Sequence, residues 1–456
     1  MSTAMSTSIE KVIDNDFCIG CGMCSAVSSQ FKLGETPVGF VKVVERPTDP
    51  ALLARASAVC PFGSAPDEDA IAATQFPAAV NHDEGLGSYI DLYAGYAKDF
   101  RSSGGSGGIT RWLMSRLLST GRVDFVVVVD RKLAAEDGDL FTVTIHETVD
   151  ALLGHTSTSA YFPISLAGAV QMLKQREGRF AITALPCFSR ALRGYAAVDP
   201  EFVGRLAYVS GVICGSLKGR RYAEYLGQQM GVAPERLDRI NFRGKSLSRT
   251  ANEKCVEVWS KDNRGAEPNA VARVQQLRGT DYGSGYFKPK ACDYCDDVFA
   301  ETADIAFGDA WISPYKDMPE GTNVVVVRSQ AVADLIEEGK ASGELVLDTL
   351  TPEQAVFTQA SGLRHRRQGL AVRLWLAGLV GAWTPAKRVD KGRGHLPFVL
   401  SQLVRVGIRR ATSLRSLRPM SQPFELVLWV LVKAHNKLRR GATKPQKPNL
   451  GRIRSM

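Results

Sequence analysis

The residues best suited to chemistry in this chain are its nine cysteines, and their spacing is uneven. Cys18, Cys21 and Cys24 form a C-x2-C-x2-C run, and Cys60 is followed directly by Pro61. Three thiolates at this spacing wrap one face of an iron–sulfur cubane, and a remote Cys-Pro supplies the fourth corner. Gly20 and Gly22 let the backbone close around such a group. In two-cluster ferredoxins the fourth cysteine serves the other cluster. No second triplet lies in this segment, so the four are assigned to one 4Fe-4S cluster. The alternative is a structural zinc site, which normally uses two separated pairs.

Cys292 and Cys295 form a C-x2-C pair, a spacing that zinc knuckles and redox dithiols share. Two partners are available: Cys187 and Cys214, each following a predicted strand. The carboxyl ends of strands are where open α/β sheets place ligands. The four are expected to hold a second cluster, unless Cys187 and Cys214 are simply small buried hydrophobes. Cys255, in an alternating segment, is expected to be a strand residue and a spare thiol.

The elements that must position these thiols alternate between residues 85 and 350. Helices are expected at 111–120, 165–177 and 218–230, and strands at 123–129, 180–184 and 206–213. The apolar runs 125–129 and 324–327 are too continuous for one-face burial and suit a sheet covered on both sides. The expected fold is α/β (α+β overall): a small ferredoxin-like iron–sulfur domain at 1–80, a larger α/β domain at 85–360 and a basic helical tail at 361–456. Residues 241–285 read as an irregular surface segment.

Before the first of these helices stands a glycine-rich stretch, 101–110, containing Ser106, Gly107, Gly108 and Thr110. A turn of this kind opening a helix can offer backbone N–H groups to a phosphate or a flavin edge. It is neither a phosphate-binding Gly-Lys-Ser/Thr loop nor a Gly-x-Gly-x-x-Gly fingerprint. By pattern alone it reads as a flexible surface loop. Asp309 and Trp311, in Gly308-Asp-Ala-Trp311, are weak catalytic candidates: a carboxylate to orient a cofactor or proton donor and an indole to cover a ring. The alternative for them is a turn-capping carboxylate beside a core tryptophan. Arg243 and Lys245 either bind an anionic group or lie solvated on the surface, and the second is the expectation.

Composition sets outer bounds. With 456 residues, 45% hydrophobic and 23% charged, the chain can bury more than one core and is neither fibrous nor disulfide-packed. Its longest apolar run, residues 374–383, is too short to span a bilayer, and the polar residues 1–15 lack an export signal, so a cytoplasmic location is expected. Residues 387–456 hold 17 Lys and Arg against Asp390 and Glu425, net +15 of a total of +10, which leaves −5 on the rest. The excess therefore sits in the tail, outside every motif above, and no nucleic-acid partner is expected. In the tail Leu400, Leu403, Val404 and Ile408 alternate with Arg405, Arg409 and Arg410 at helical spacing. Such a stretch can lie on an anionic membrane, dock on an acidic partner, or pack on its own domain with its charged face in water. Residues 444–449 are expected to be disordered.

The order of these motifs resembles the coenzyme F-420 hydrogenase/dehydrogenase beta-subunit family, across roughly residues 15 to 350. The cysteine triplet with Cys60-Pro61, Ser106-Gly-Gly-Ile-Thr110, Leu185-Pro-Cys187, Val212-Ile-Cys-Gly215, and Cys292-x2-Cys295 with 303–311 follow one another as in that family. The resemblance implies FAD beside the clusters, with Ser106, Gly107, Gly108, Thr110 and Tyr161 in the flavin site. It also implies electron exchange between a reduced carrier and a substrate, a deazaflavin or chlorophyll-type ring among them. Two departures stand out: Phe188 where many members have glutamine, and Ser159-Ala-Tyr161 where a basic residue usually precedes the tyrosine. They leave the native donor and the substrate open.

The function so implied is an iron–sulfur flavoprotein oxidoreductase. A reduced ferredoxin or deazaflavin donor would load the N-terminal cluster, the second cluster would relay, and flavin N5 would deliver hydride to a small-molecule substrate. The alternatives are an electron-transfer subunit feeding a separate catalytic partner and a zinc-stabilised interaction protein.

Overall fold

The computed structural model describes residues 7–132, 138–154, 159–263, 265–413 and 422–441. Its centre is an eight-stranded sheet with the spatial order Leu345–Thr349, Asp91–Ala97, Asn323–Val327, Ile305–Asp309, Leu206–Val212, Phe180–Ala184, Phe125–Arg131 and Phe141–His146. The four strands from Ile305–Asp309 to Phe125–Arg131 run parallel, and antiparallel strands close both sides. The fold is mixed α/β, as expected.

Continuous apolar runs become strands buried on both faces. Val324 to Val327 are fully buried, each worth about 1.5–3 kcal/mol relative to exposure. Val324 and Val326 join one core, packed against Phe180, Ile182 and Leu192, while Val325 and Val327 join another, against Trp112, Leu113 and Ile336. Expected helices and strands recur with shifted ends, as Ile109–Ser119, Ala167–Lys174, Arg220–Gln229 and Phe125–Arg131.

The segment 241–285 departs from expectation. It is not wholly irregular, because Leu237–Gly244, Cys255–Ser260 and Ala270–Arg273 form a three-stranded antiparallel sheet. Val256 and Val258 bury against Ile240 and Phe242, a short-range alternation that polar insertions mask in the sequence. Cys255 is a fully buried strand residue.

The N-terminal segment packs directly on this body: Val12, Phe17, Met23, Val59 and Phe62 share the core that holds Phe180 and Leu192. At the other end, Leu396–Thr412 and Gln422–Gly441 pack as a helical pair. Residues 444–449, expected to be disordered, lie outside the described residues.

Candidate redox site

The first four cysteines converge on one cavity. Cys18, Cys21, Cys24 and Cys60 line one concavity, walled by Phe17, Met23 and Phe62 among others. Gly22 sits in the left-handed region, φ 93°, and a Cβ there would lie 2.6 Å from the Ala167 nitrogen; only glycine brings this loop so close to the sheet domain. The Leu166 amide donates to the Cys21 carbonyl at 3.0 Å. Burial pushes the Cys21, Cys24 and Cys60 thiols above their ordinary range, and the neighbouring cysteines push them further. Each sulfur also faces backbone N–H groups: Val43 donates to Cys18 at 3.4 Å, Gly22 and Met23 to Cys21, Ser25 to Cys24, and Phe62 and Gly63 to Cys60. Donors aimed at sulfur favour bound thiolate.

The second set also meets. Cys187 opens the helix Pro186–Val198 just past the strand Phe180–Ala184, and Cys214 follows the adjacent strand Leu206–Val212. Cys292 and Cys295 come from the turn Lys290–Tyr294 and its end. Burial raises the Cys187, Cys214 and Cys292 thiols, and members of the set act on one another. The Cys187 thiol feels Cys21 as well, so the two sets adjoin. The Leu217 amide donates to Cys292 at 3.3 Å, and Arg366 hydrogen-bonds Cys295. The donor chemistry of both sets fits thiolate-ligated clusters. Among the described residues, no group of three His, Cys, Asp or Glu is placed to hold a metal ion.

The glycine-rich loop lies at the same carboxyl edge of the sheet, following Asp91–Ala97, with Ser102 and Ser103 exposed and its later residues packed on the sheet. Gly107 is buried, and a Cβ there would meet the Asn323 side chain and the Gly95 carbonyl at 2.7 Å. Ser106 donates to the Thr322 carbonyl at 3.3 Å, Gly108 caps the helix Ile109–Ser119, and Thr110 stands in its first turn. From the small sheet, Arg243 donates to the Gly105 carbonyl at 3.1 and 3.2 Å, and Lys245 to the carbonyls of Arg101 and Ser106.

Arg243 and Lys245 are therefore not solvated as expected. Arg243 pairs with Asp309 at 2.7 and 2.8 Å, both side chains only 13% exposed. Tyr161 hydrogen-bonds Arg243 and packs edge-on against Phe242 and Tyr282, each at 5.3 Å between centroids. Trp311, two residues beyond Asp309, is half-buried with its amide bonded back to the Asp309 carbonyl. Phe188, by contrast, is a core residue, 4% exposed.

Sequence reasoning missed three cations here. Lys254 is buried with its ammonium on the Pro319 carbonyl at 2.9 Å. Burial lowers Lys254 and Lys245 to about 8, helped by Arg243 in both and by Lys254 and Arg101 around Lys245. Lys218 donates to the Tyr286 carbonyl at 2.7 Å beside the Tyr222 and Tyr282 rings, and burial lowers it to about 7. Arg366 is 2% exposed against the second cysteine set. The seven-residue spacing of Arg366 and Arg373 across a helical stretch was the available signal.

The tail is inverted relative to expectation. Arg405 and Arg409 face inward: Arg409 Nε lies 2.8 Å and Arg405 Nε 3.8 Å from Asp293, inside the Cys292–Cys295 motif. Arg373 donates to the Asp293 carbonyl at 2.7 Å. Lys387 pairs with Asp296 at 3.0 Å, and Arg388 with Glu301 at 2.7 Å. Basic charge thus grips the second cysteine motif from both sides, while Leu396, Leu400 and Leu403 face outward.

Two family models match the chain: Coenzyme F420 hydrogenase/dehydrogenase, beta subunit N-term, at residues 92–171, and the C terminus of the same beta subunit at 177–353. Together they cover more than half of the chain, leaving the Cys18–Cys60 segment and residues 354–456 outside. A comparison with curated proteins returns no match. Among solved structures, a chain from "Xenon derivatization of the F420-reducing [NiFe] hydrogenase complex from Methanosarcina barkeri" is similar at 15% identity and TM-score 0.48, over 67% of this chain and 98% of that one. No helix among the described residues is long and apolar enough to cross a membrane. On the two family matches, with the cysteines gathered as described, this chain belongs to the coenzyme F420 hydrogenase/dehydrogenase beta-subunit family and has a redox role.

Proposed function

We propose that the chain is an iron–sulfur flavoprotein that passes electrons from a reduced carrier, of ferredoxin or deazaflavin type, through two 4Fe-4S clusters and FAD to a small-molecule substrate. The observation that carries this reading is the adjacency of two four-cysteine sets, with Cys21 of one acting on Cys187 of the other. The bound groups would supply one-electron transfer and its coupling to two-electron chemistry. A single zinc would need sulfurs about 2.3 Å from one point, and the described residues offer no group of three placed to hold one metal ion.

For FAD, support comes from charge. Arg101, Arg243, Lys245 and Lys254 surround the glycine-rich loop, and the carboxylates acting on this group are Asp309 and Glu320. The surplus of buried positive charge beside the N-terminus of the Ile109 helix suits a pyrophosphate. Tyr161 and Tyr282 would wall the ring, and Asp309 fixes the Arg243 fork.

The family's description as a beta subunit favours a second reading, in which a separate subunit carries the final catalysis. For the C-terminal helices we propose contact with an anionic membrane surface. Leu396, Leu400, Leu403, Leu426, Trp429 and Val430 are exposed there beside Lys433 and Arg410, the mixture that interfacial helices use.

Anaerobic purification with iron, sulfide, zinc and flavin analysis tests the main reading. About eight iron and eight sulfide with one FAD per chain is expected. Zinc with no bleachable chromophore after iron–sulfur reconstitution would sink it. Turnover by the chain alone, as against turnover only with a co-purifying partner, separates the enzyme from the electron-transfer subunit.

A further inference from the structure

The two cysteine sets differ in the charge around them. Near the first, Arg190 acts on Cys60 but is already paired with Glu68 at 3.3 Å; of the two lysines over the rings that wall this set, Lys387 over Phe62 is paired with Asp296 at 3.0 Å and Lys290 over Phe17 donates to the Asn15 carbonyl at 2.7 Å. Near the second, Arg366 acts on Cys214, Cys292 and Cys295 and hydrogen-bonds Cys295. Its guanidinium nitrogens otherwise donate to the Gly215 carbonyl, both at 3.2 Å, and among the described residues no carboxylate pairs with it. Behind it, Lys288, Arg373, Arg405 and Arg409 converge on the single carboxylate of Asp293, fully buried between Cys292 and Cys295. Four of these arginines come from residues beyond 353, outside the family models.

Reducing a cluster adds one negative charge to it. A buried cation nearby stabilises that added charge, and more strongly where the surroundings exclude water. We propose that Arg366, with Arg373, Arg405 and Arg409 behind it, raises the reduction potential of a cluster on Cys187, Cys214, Cys292 and Cys295 above that of a cluster on Cys18, Cys21, Cys24 and Cys60. Electrons entering at the first then come to rest at the second. This inference rests on the two-cluster reading above, and it gives the C-terminal segment a part in electron flow.

The test is an anaerobic redox titration of the full chain followed by electron paramagnetic resonance, with Arg366→Gln, Arg366→Lys and Arg409→Gln. In wild type, two reduction waves are expected, and in Arg366→Gln the higher wave falls by roughly tenfold in equilibrium constant, about 59 mV for one electron. Arg366→Lys keeps the charge and restores most of it. Should Arg366→Gln fail to assemble, Arg409→Gln, farther from the sulfurs, gives a smaller shift in the same direction. About eight iron with the higher wave unmoved in both charge-removing variants, or with both waves moved equally, overturns the inference while the two-cluster reading stands. About four iron and a single wave in wild type overturns both.

Discussion

The rings of Phe17 and Tyr294 meet edge-on, their centroids 5.1 Å apart and their planes at 78°. Phe17 precedes Cys18 and Tyr294 precedes Cys295, so this contact joins the two cysteine sets through their immediate chain neighbours. Trp383 packs on Phe17 from the C-terminal segment, again edge-on, at 5.4 Å. Phe17 is fully buried, and truncating such a ring typically costs about 3–5 kcal/mol. Phe17→Ala is expected to lower stability by that amount and to slow reduction of the second cluster by an external donor. Denaturant unfolding and stopped-flow absorbance check it; an unchanged reduction rate in the destabilised variant would show that the contact does not join the two sets functionally.

The four-cysteine assignments are separable from the spare thiol by substitution. Cys292→Ser is expected to drop iron from about eight to about four per chain, leaving the first cluster's spectrum. Cys255→Ser, on a buried strand of the small sheet, is expected to leave iron content unchanged. Equal losses in the two variants would mean that Cys292 acts through folding alone.

Much of this site could be read from the chain because ligand sets are written in local spacing. C-x2-C-x2-C brings three thiols together within two turns of backbone, and strand ends such as those before Cys187 and Cys214 mark where an α/β sheet opens to ligands. The charge around the site was not legible in the same way. Arginine is rarely buried without a partner, so Arg405 and Arg409 at helical spacing beside leucines read as a wet face. Asp293, more than 100 residues earlier in the sequence, reverses the helix, and no local pattern announces such a pairing. The same holds for Arg243 and Asp309, brought together from two different sheets. The small sheet at 237–273 was obscured because charged and polar residues interrupt the apolar alternation of its strands and fill the turns between them.

Arg243 and Asp309 hold each other at the mouth of the glycine-rich loop, nearly sealed from water. Removing one partner of a buried pair leaves an uncompensated charge, at a cost of about 3–5 kcal/mol. Asp309→Ala is expected to destabilise the flavin-free protein by about 3 kcal/mol, and saturating FAD is expected to recover part of the loss if its pyrophosphate is held by the same guanidinium, as proposed above. Thermal unfolding with and without FAD measures both. The same loss at every FAD concentration would place the pyrophosphate elsewhere.

Lys245 and Lys254 lie near 8 because burial disfavours their charge, helped at Lys245 by Lys254, Arg243 and Arg101 and at Lys254 by Arg243; Glu320 opposes the effect in both, and Asp309 opposes it at Lys254. The sign follows from linkage. Their folded values lie below the ordinary lysine value, so below about 8 both are charged and that charge costs the empty protein stability; above it the folded state sheds protons and the cost shrinks, vanishing only near the ordinary lysine value. A bound anion reverses the preference, since it favours the protonated forms. FAD affinity is therefore expected to be greatest below pH 8 and to weaken above it, by up to about 1.4 kcal/mol per pH unit for each proton lost. Flavin fluorescence titrations between pH 6.5 and 9.5 read the slope. Lys245→Met should flatten it, and a profile indifferent to that substitution would rule out these lysines as the anion's partners.

The outward faces of the C-terminal helices make the last prediction. Leu396, Leu400 and Leu403 repeat along the exposed side of Leu396–Thr412, while Leu426, Val427, Trp429 and Val430 are exposed on Gln422–Gly441. Lys433 lies over the Trp429 ring, 3.6 Å from its centroid. These apolar residues lie exposed beside Lys433 and Arg410, a mixture that suits an anionic interface. Full-length protein is expected to float with vesicles containing phosphatidylglycerol and not with phosphatidylcholine alone, and the binding should weaken as salt screens the charge. Trp429→Ala with Leu403→Ala should reduce flotation severalfold without changing iron content, because neither residue touches the cysteine sets. No flotation at low salt, or flotation equal on both lipids, would exclude an anionic membrane and leave an acidic protein surface as the occupant to test.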